Sequence, residues 1–382
     1  MIKQVLIPTF LLHPDAEALL EDADDIDVIY GLDAAERALG LGGFERFAAR
    51  QEAVGAALER CLPNVHALHA MGPVGHLPVT SEMVASAANL EVIFISAAGT
   101  DKIDVPAATA AGVLVINAAG ANAPAVAEQA FGLMLAVCRR IAEVDRFAHV
   151  EKRVDPVRVM QTPPRPSLLG GKTLAIIGYG FVGRTIAEIA IRGFGMRVVA
   201  YDPYFDPIEA ERLGVTLLDT LPQALAIGDF VSINTPFGPE TKALIGAAEL
   251  AAMQPSAFLI NTARGGIVDT DALVKALAAR EIAGAGLDVT EPEPLPPGHP
   301  LFDLDNVVLT PHMGGNAAEV FRACSMTPVR LTLDALRGKR PRHLVNPAAW
   351  ERHVARFGPA AEPPKAREPG PSGPAAEPPS AG

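Results

Sequence analysis

The chain has 382 residues, 49% of them apolar and 20% charged, with a formal charge of -12. That length accommodates two ordinary domains, and the acidic balance argues against nucleic acid or an anionic membrane surface as a partner. No apolar run reaches the roughly 18 residues of a membrane span, and the opening MIKQVLIPTF lacks the pattern of a signal peptide, so a cytoplasmic protein without a membrane partner is expected.

In chain order, KQVLIP, LEVIFIS and GVLVIN read as strands. After an irregular surface stretch, DPVRVMQTPPRPSLLGG, come TLAIIG, RVVAYD, FVSINT, AFLINTA and VVLT, separated by Ala/Leu-rich helical segments or turns. Continuously apolar strands indicate parallel sheets covered on both faces, and the β/α alternation indicates a doubly wound α/β architecture. Cys61, Cys138 and Cys324 are far apart and odd in number. They fit neither a disulfide framework nor a metal site, and are read as small apolar residues in a reducing compartment. From Glu351 onward the chain turns to Pro, Ala, Gly and Glu, so 351–382 is expected to be a disordered tail.

The strongest local signal is KTLAIIGYGFVGRTIAEIAIRGFGMRVVAYDPY. The strand TLAIIG runs into Gly178-x-Gly180-x-x-Gly183, a helix follows, and the next strand ends at Asp202. Gly178 suits the tight turn, Gly180 lets backbone amides approach a pyrophosphate, and Gly183 lets the helix pack on the strand. Phe181 and Val182 belong to the same turn. Asp202 is placed to accept hydrogen bonds from ribose hydroxyls and would repel a 2′-phosphate, so the cofactor expected is NAD and not NADP.

Three downstream segments carry reactive groups at strand ends: NTARGG with Arg264, GLDVTEPEP with Asp288 and Glu293, and TPHMGG with His312. Ligands of doubly wound sheets bind beyond the carboxyl ends of the strands, so these residues converge on one crevice.

With SAAGTDKIDVPAATAAGVLVINAAGANAPAVAEQAFGLML and the closing LRGKRPRHLVNP, these motifs give a chain that resembles the D-isomer-specific 2-hydroxyacid dehydrogenases over roughly residues 60–347. The resemblance implies a Rossmann NAD-binding domain, 118–310, inserted in a discontinuous flavodoxin-like substrate domain, 1–117 and 311–350, in a homodimer. It implies that Arg264 binds the substrate carboxylate and polarises its carbonyl. His312 would be the general acid/base, with Glu293 orienting its ring. The amides of Ala98 and Gly99 would receive the carboxylate from the other domain, and Asp288 would hold the nicotinamide carboxamide. Thr235, Pro236, Thr262 and Ala263 would line the cofactor groove. The partner is then a small 2-oxo or 2-hydroxy acid. Arg264 and His312 would supply the local positive charge that an acidic protein needs to attract it.

The chain departs from the family pattern at Ala97, where the substrate loop usually begins with glycine, at Asn234 and Phe237, and in lacking a Trp before the fingerprint. CLPNVHALHAMGPVGHLPVT carries no Lys or Arg for a phosphate, and no further regulatory domain is expected after Asn346. An unphosphorylated acid such as glyoxylate or hydroxypyruvate is therefore expected. The rival is an NAD-sensing, corepressor-like binding protein on the same fold. A formate-type reaction is disfavoured, because hydride removal from formate needs no Glu–His relay.

Overall fold

The computed structural model of the protein describes residues 2–11, 13–38, 47–71, 77–155, 157 and 165–358. Five strands, β1 (Lys3–Ile7), β2 (Ile26–Tyr30), β3 (Ala67–His69), β4 (Val92–Phe94) and β5 (Leu114–Ile116), form one sheet in the order β2-β1-β3-β4-β5. Seven more form a second: β6 (Thr173–Ile177), β7 (Arg197–Tyr201), β8 (Thr216–Leu217), β9 (Phe230–Ile233), β10 (Phe258–Asn261), β11 (Gly284–Leu287) and β12 (Val307–Leu309). Their order is β12-β11-β10-β9-β6-β7-β8, and every pairing in both sheets is parallel. The first order is flavodoxin-like and the second Rossmann-like, as expected from the sequence. Their switch points, β1/β3 and β6/β9, are where ligand crevices open.

Strand β6 is buried along its whole length because apolar layers cover both faces of its sheet. One layer comes from the helices Ala123–Cys138 and Phe181–Phe194, through Leu133, Met134, Ile186 and Ala190. The other includes Leu225, Leu250, Leu273 and Leu277. Each large side chain so buried contributes roughly 1.5–3 kcal/mol. Strand β11 is Gly-Ala-Gly-Leu for a steric reason. A Cβ on Gly284 would lie 2.5 Å from the Asn306 carbonyl oxygen, and one on Gly286 would lie 2.8 Å from the Leu133 Cβ. The helix Ala123–Cys138 sits too close to that strand for side chains between them.

The helix Ala318–Leu336 returns to the five-stranded sheet, sharing Met326, Val329 and Leu333 with the core of Val5, Ile7, Phe94 and Ile116. The chain then runs beside β5. Asn346 Oδ1 accepts from the Val115 amide (2.8 Å), its Nδ2 donates to the Val113 carbonyl (2.9 Å), and the Val345 amide donates to the Val115 carbonyl (2.9 Å).

Residues 351–357, expected in the tail, are helical. Trp350–Phe357 is a helix in which His353 is 2% exposed, stacks on Trp350 and donates from Nδ1 to the Gly112 carbonyl (3.1 Å). Trp350, His353 and Phe357 recur at helical spacing, stack in succession, and Trp350 packs on the core of the five-stranded sheet. Residues 359–382 lie outside the described residues, as do 156 and 158–164 of the irregular stretch. Cys138 and Cys324 are buried and Cys61 half-buried; burial pushes the first two thiols up to about 11. Among the described residues no helix is long and apolar enough to cross a membrane.

Candidate active site

The three fingerprint glycines each meet a different constraint. Gly178 has φ +92°, and a Cβ there would lie 2.7 Å from the Thr235 amide nitrogen, where β6 and β9 splay apart. At Gly183 a Cβ would lie 2.3 Å from the Gly178 carbonyl oxygen, so the helix packs onto its own approach turn. Gly180 has no atom within 4 Å of its missing side chain. It is the N-cap of Phe181–Phe194, so open space lies against the positive end of that helix. Asp202 closes the rim: its Oδ2 accepts from the Tyr179 amide (2.8 Å) and its Oδ1 from the Tyr204 amide (2.9 Å). Each oxygen keeps a lone pair for a ligand hydroxyl.

Two cavities continue from this cradle. One, of about 630 Å³, is lined by Gly178, Gly180, Asp202 and Tyr204. The other, of about 450 Å³, is lined by Ala98, Gly99, Phe181, Val182, Thr262, Ala263, Arg264 and His343. They share a wall of Asn234, Thr235, Pro236 and Phe237, so one elongated groove runs from Asp202 to Arg264. The two departures at Asn234 and Phe237 thus stand at its midpoint. Along the second cavity the buried atoms Asn122 Oδ1, Asn234 Oδ1, Thr235 Oγ1 and Thr262 Oγ1 have no hydrogen-bond partner among the described residues. Orphaned polar atoms lining a groove are what a polar ligand would satisfy. With the glycine cradle they fit a dinucleotide.

Arg264 leaves β10 at the turn Arg264-Gly265-Gly266. Asn261 shapes that turn by accepting from the Ala263 amide (3.0 Å) and donating to the Arg264 carbonyl (2.9 Å). A Cβ on Gly265 would lie 2.0 Å from the Thr290 carbonyl carbon, so glycine lets the turn nest against the loop leading to Glu293. The guanidinium reaches across to the five-stranded sheet, where Nε donates to Asp101 Oδ2 (2.8 Å). A Cβ on Gly99 would be 1.8 Å from Nη2. The glycine that this contact requires in the loop is Gly99, and it is present.

His312 has φ +56°, a left-handed conformation costing a non-glycine residue roughly 1–2 kcal/mol. Asp288 holds it there. Asp288 is 1% exposed; its carboxylate accepts from Thr310 Oγ1 (2.6 Å), the Met313 amide (2.8 Å), the Gly314 amide (2.7 Å) and Gln129 Nε2 (3.4 Å). Its carbonyl accepts from the His312 amide (2.7 Å). The resemblance gave Asp288 the nicotinamide carboxamide; here its carboxylate shapes the loop that carries His312.

The His312 ring meets Glu293 through Nδ1 and Oε1 at 2.6 Å. Burial alone would raise the Glu293 carboxyl. The hydrogen bond and charge of His312, a hydrogen bond with the Thr290 backbone and the charge of Arg264 together hold it below its ordinary range. Arg264 lines the groove, whereas His312 and Glu293 are not among its lining residues; Glu293 feels the Arg264 charge.

The sequence reading missed Asp101 and Gln129, whose roles arise from contacts distant in the chain, and Asn261, which acts within its own turn. It also missed Asn117 and His343. The His343 ring lines the groove and its Nε2 lies 3.0 Å from Asn117 Oδ1.

Residues 131–314 match the family model of the D-isomer specific 2-hydroxyacid dehydrogenase NAD binding domain. A glyoxylate reductase of Thermococcus litoralis is 39% identical over 273 residues, 70% of this chain and 80% of that protein. A D-3-phosphoglycerate dehydrogenase of Methanocaldococcus jannaschii is 33% identical over 345 residues, 89% of this chain. The chain spans 59% of that relative's length, and 44% of the D-3-phosphoglycerate dehydrogenase of Mycobacterium leprae. Among solved structures, the apo D-mandelate dehydrogenase of Rhodotorula graminis is 27% identical with a TM-score of 0.75, over 90% of this chain and 98% of that one. With the glycine cradle, the Arg264 turn and the Glu293–His312 pair in place on two doubly wound sheets, this chain belongs to the D-isomer specific 2-hydroxyacid dehydrogenase family.

Proposed function

We propose that the protein transfers a hydride between NAD(H) and a small unphosphorylated 2-oxo or 2-hydroxy acid, with its active site between the two sheets. The observation that carries this reading is a dinucleotide-shaped groove with Arg264 in its wall and the Glu293 of the Glu293–His312 pair feeling the Arg264 charge. Bound in that groove, NAD(H) supplies or accepts the hydride at its nicotinamide ring. The protein's residues do the rest. Arg264 offers a guanidinium fork to the substrate carboxylate and draws electron density from the neighbouring carbonyl. The Ala98 and Gly99 amides, which donate to no acceptor among the described residues, add a second hold on the carboxylate. His312 gives a proton to the developing alkoxide in reduction and takes it back in oxidation, and Glu293 holds the ring through Nδ1 so that Nε2 faces the substrate.

An unphosphorylated acid is favoured because Arg264 is the one Lys or Arg among the described residues lining the groove next to Gly99. One fork suits one carboxylate and leaves a distal phosphate without a partner. We further propose that the chain divides near residues 117 and 310, with the helix Ala123–Cys138 belonging to the nucleotide side, and that it acts as a homodimer in the cytoplasm.

NADH oxidation followed at 340 nm over glyoxylate, hydroxypyruvate, pyruvate, branched and aromatic 2-oxo acids and 3-phosphohydroxypyruvate tests the assignment. Turnover of an unphosphorylated acid is expected. NADH binding without turnover of any of them overturns the enzymatic reading, and preference for the phosphorylated acid overturns the substrate class. Asp202→Ala should reduce the preference for NADH over NADPH by about tenfold or more, the weight of one charge-assisted hydrogen bond. An unchanged ratio of kcat/KM values would mean that another residue reads the ribose.

A further inference from the structure

The carboxylate-receiving loop is held from behind by a short chain of hydrogen bonds that ends on His343. Asn117, just past β5, is 8% exposed, and its Nδ2 donates to the Ala98 carbonyl (2.5 Å). Its Oδ1 accepts from the Ala119 amide (3.3 Å) and faces His343 Nε2 at 3.0 Å. The peptide joining Ala98 to Gly99 is planar and trans, so its C=O and N–H point in opposite directions. Fixing the Ala98 carbonyl on Asn117 therefore turns the Gly99 amide away from Asn117. Arg264 lies against Gly99, within 1.8 Å of where a Cβ would be.

Asn117 can perform this task only with its amide in one of two orientations. Turned by 180°, its oxygen would face the Ala98 carbonyl oxygen and its NH2 would face the Ala119 amide. The Ala119 bond is long, so the shorter contact with the His343 ring N–H is the stronger selector. Burial and the charge of Arg342 push the His343 ring below its ordinary pKa, which favours the neutral imidazole, and with Nε2 carrying the hydrogen the ring donates to Asn117 Oδ1. That ring is set in place by the anchoring of Asn346 and Val345 on β5, which fixes where the returning segment passes the groove.

We propose that His343 is a positioning residue for substrate affinity. Through Asn117 it orients the Ala98–Gly99 peptide that receives the substrate carboxylate, without touching the proton relay. The proposal rests on the reading of this groove as a 2-oxo acid site.

The test compares His343→Ala with His343→Gln, whose side-chain NH2 can restore the donor. Isothermal titration calorimetry of oxamate, an unreactive 2-oxo acid analogue, into each NADH complex is read beside KM and kcat for the best substrate. For His343→Ala, oxamate affinity should fall and KM rise by roughly fivefold, the worth of one net hydrogen bond. Its kcat should stay within about twofold and its NADH affinity should be unchanged, and His343→Gln should recover most of the loss. Equal oxamate affinity in the wild type and His343→Ala overturns the proposal. So does equal weakening in both variants, because any disturbance of packing would then suffice. If the wild type binds oxamate but turns over no acid, weakened binding in His343→Ala still supports the positioning role, and only the reaction assignment falls.

Discussion

His312→Ala should lower turnover by roughly 10²–10⁴-fold, the usual worth of general acid–base catalysis, while NADH still binds. The ring contributes nothing to the cradle around Gly178, Gly180 and Gly183, so fluorescence titration with NADH should separate the two effects. The backbone favours the same separation. His312 occupies a left-handed conformation imposed by Asp288, and alanine there keeps the amides of 313 and 314 on the same carboxylate. A variant that turns over at the wild-type rate would remove His312 as the proton donor. Glu293→Gln should be milder and should show its effect in the pH profile. The Glu293 carboxyl lies below its ordinary range, so it faces the ring as a carboxylate through the working range. With that charge removed, the alkaline limb of the reduction profile should move to lower pH. The sign for stability is the reverse of a raised group. Whatever the pair contributes is present above the ordinary carboxylate range and is lost as pH falls through the lowered value.

Arg264→Met should reduce kcat/KM for the 2-oxo acid by roughly 10²–10⁴-fold, the combined weight of two charge-assisted hydrogen bonds from a fork to a carboxylate. The loss should appear largely in KM. It is deepened by what the substitution leaves behind: Asp101, now without its 2.8 Å partner, points a negative charge toward an anionic substrate. The double variant Arg264→Met/Asp101→Asn should therefore bind substrate better than Arg264→Met alone. Steady-state kinetics on the three proteins checks this, and an unchanged KM in Arg264→Met would place the carboxylate elsewhere.

Much of the site could be read from the sequence because its constraints are local. Gly178, Gly180 and Gly183 stand within one turn, and Arg264 and His312 each close a strand and precede glycines. The strands found first were those made of β-branched runs. β2 escaped notice because Asp27 interrupts it, β3 because Ala-Leu-His carries no β-branched residue, and β8 because it has two residues. The alanine and glycines of β11 are a tertiary fact: they record how close Leu133 comes. Asp101, Asn117 and His343 were not legible for a related reason. Each acts on a partner brought near by the fold, Asp101 on Arg264 and His343 on Asn117, 163 and 226 residues away. No periodicity carries that information.

The placement of Gly99 against the Arg264 guanidinium has a consequence for how such a protein changes its diet. The Glu293–His312 pair and the Arg264 guanidinium all follow strands of the seven-stranded sheet. The loop that Gly99 belongs to comes from the other sheet. Selection for a longer or bulkier acid could remodel the five-stranded side while the reacting groups stay untouched. Within that side Gly99 is the toll: a new loop of any length or composition must still pass the guanidinium with a hydrogen in place of a side chain.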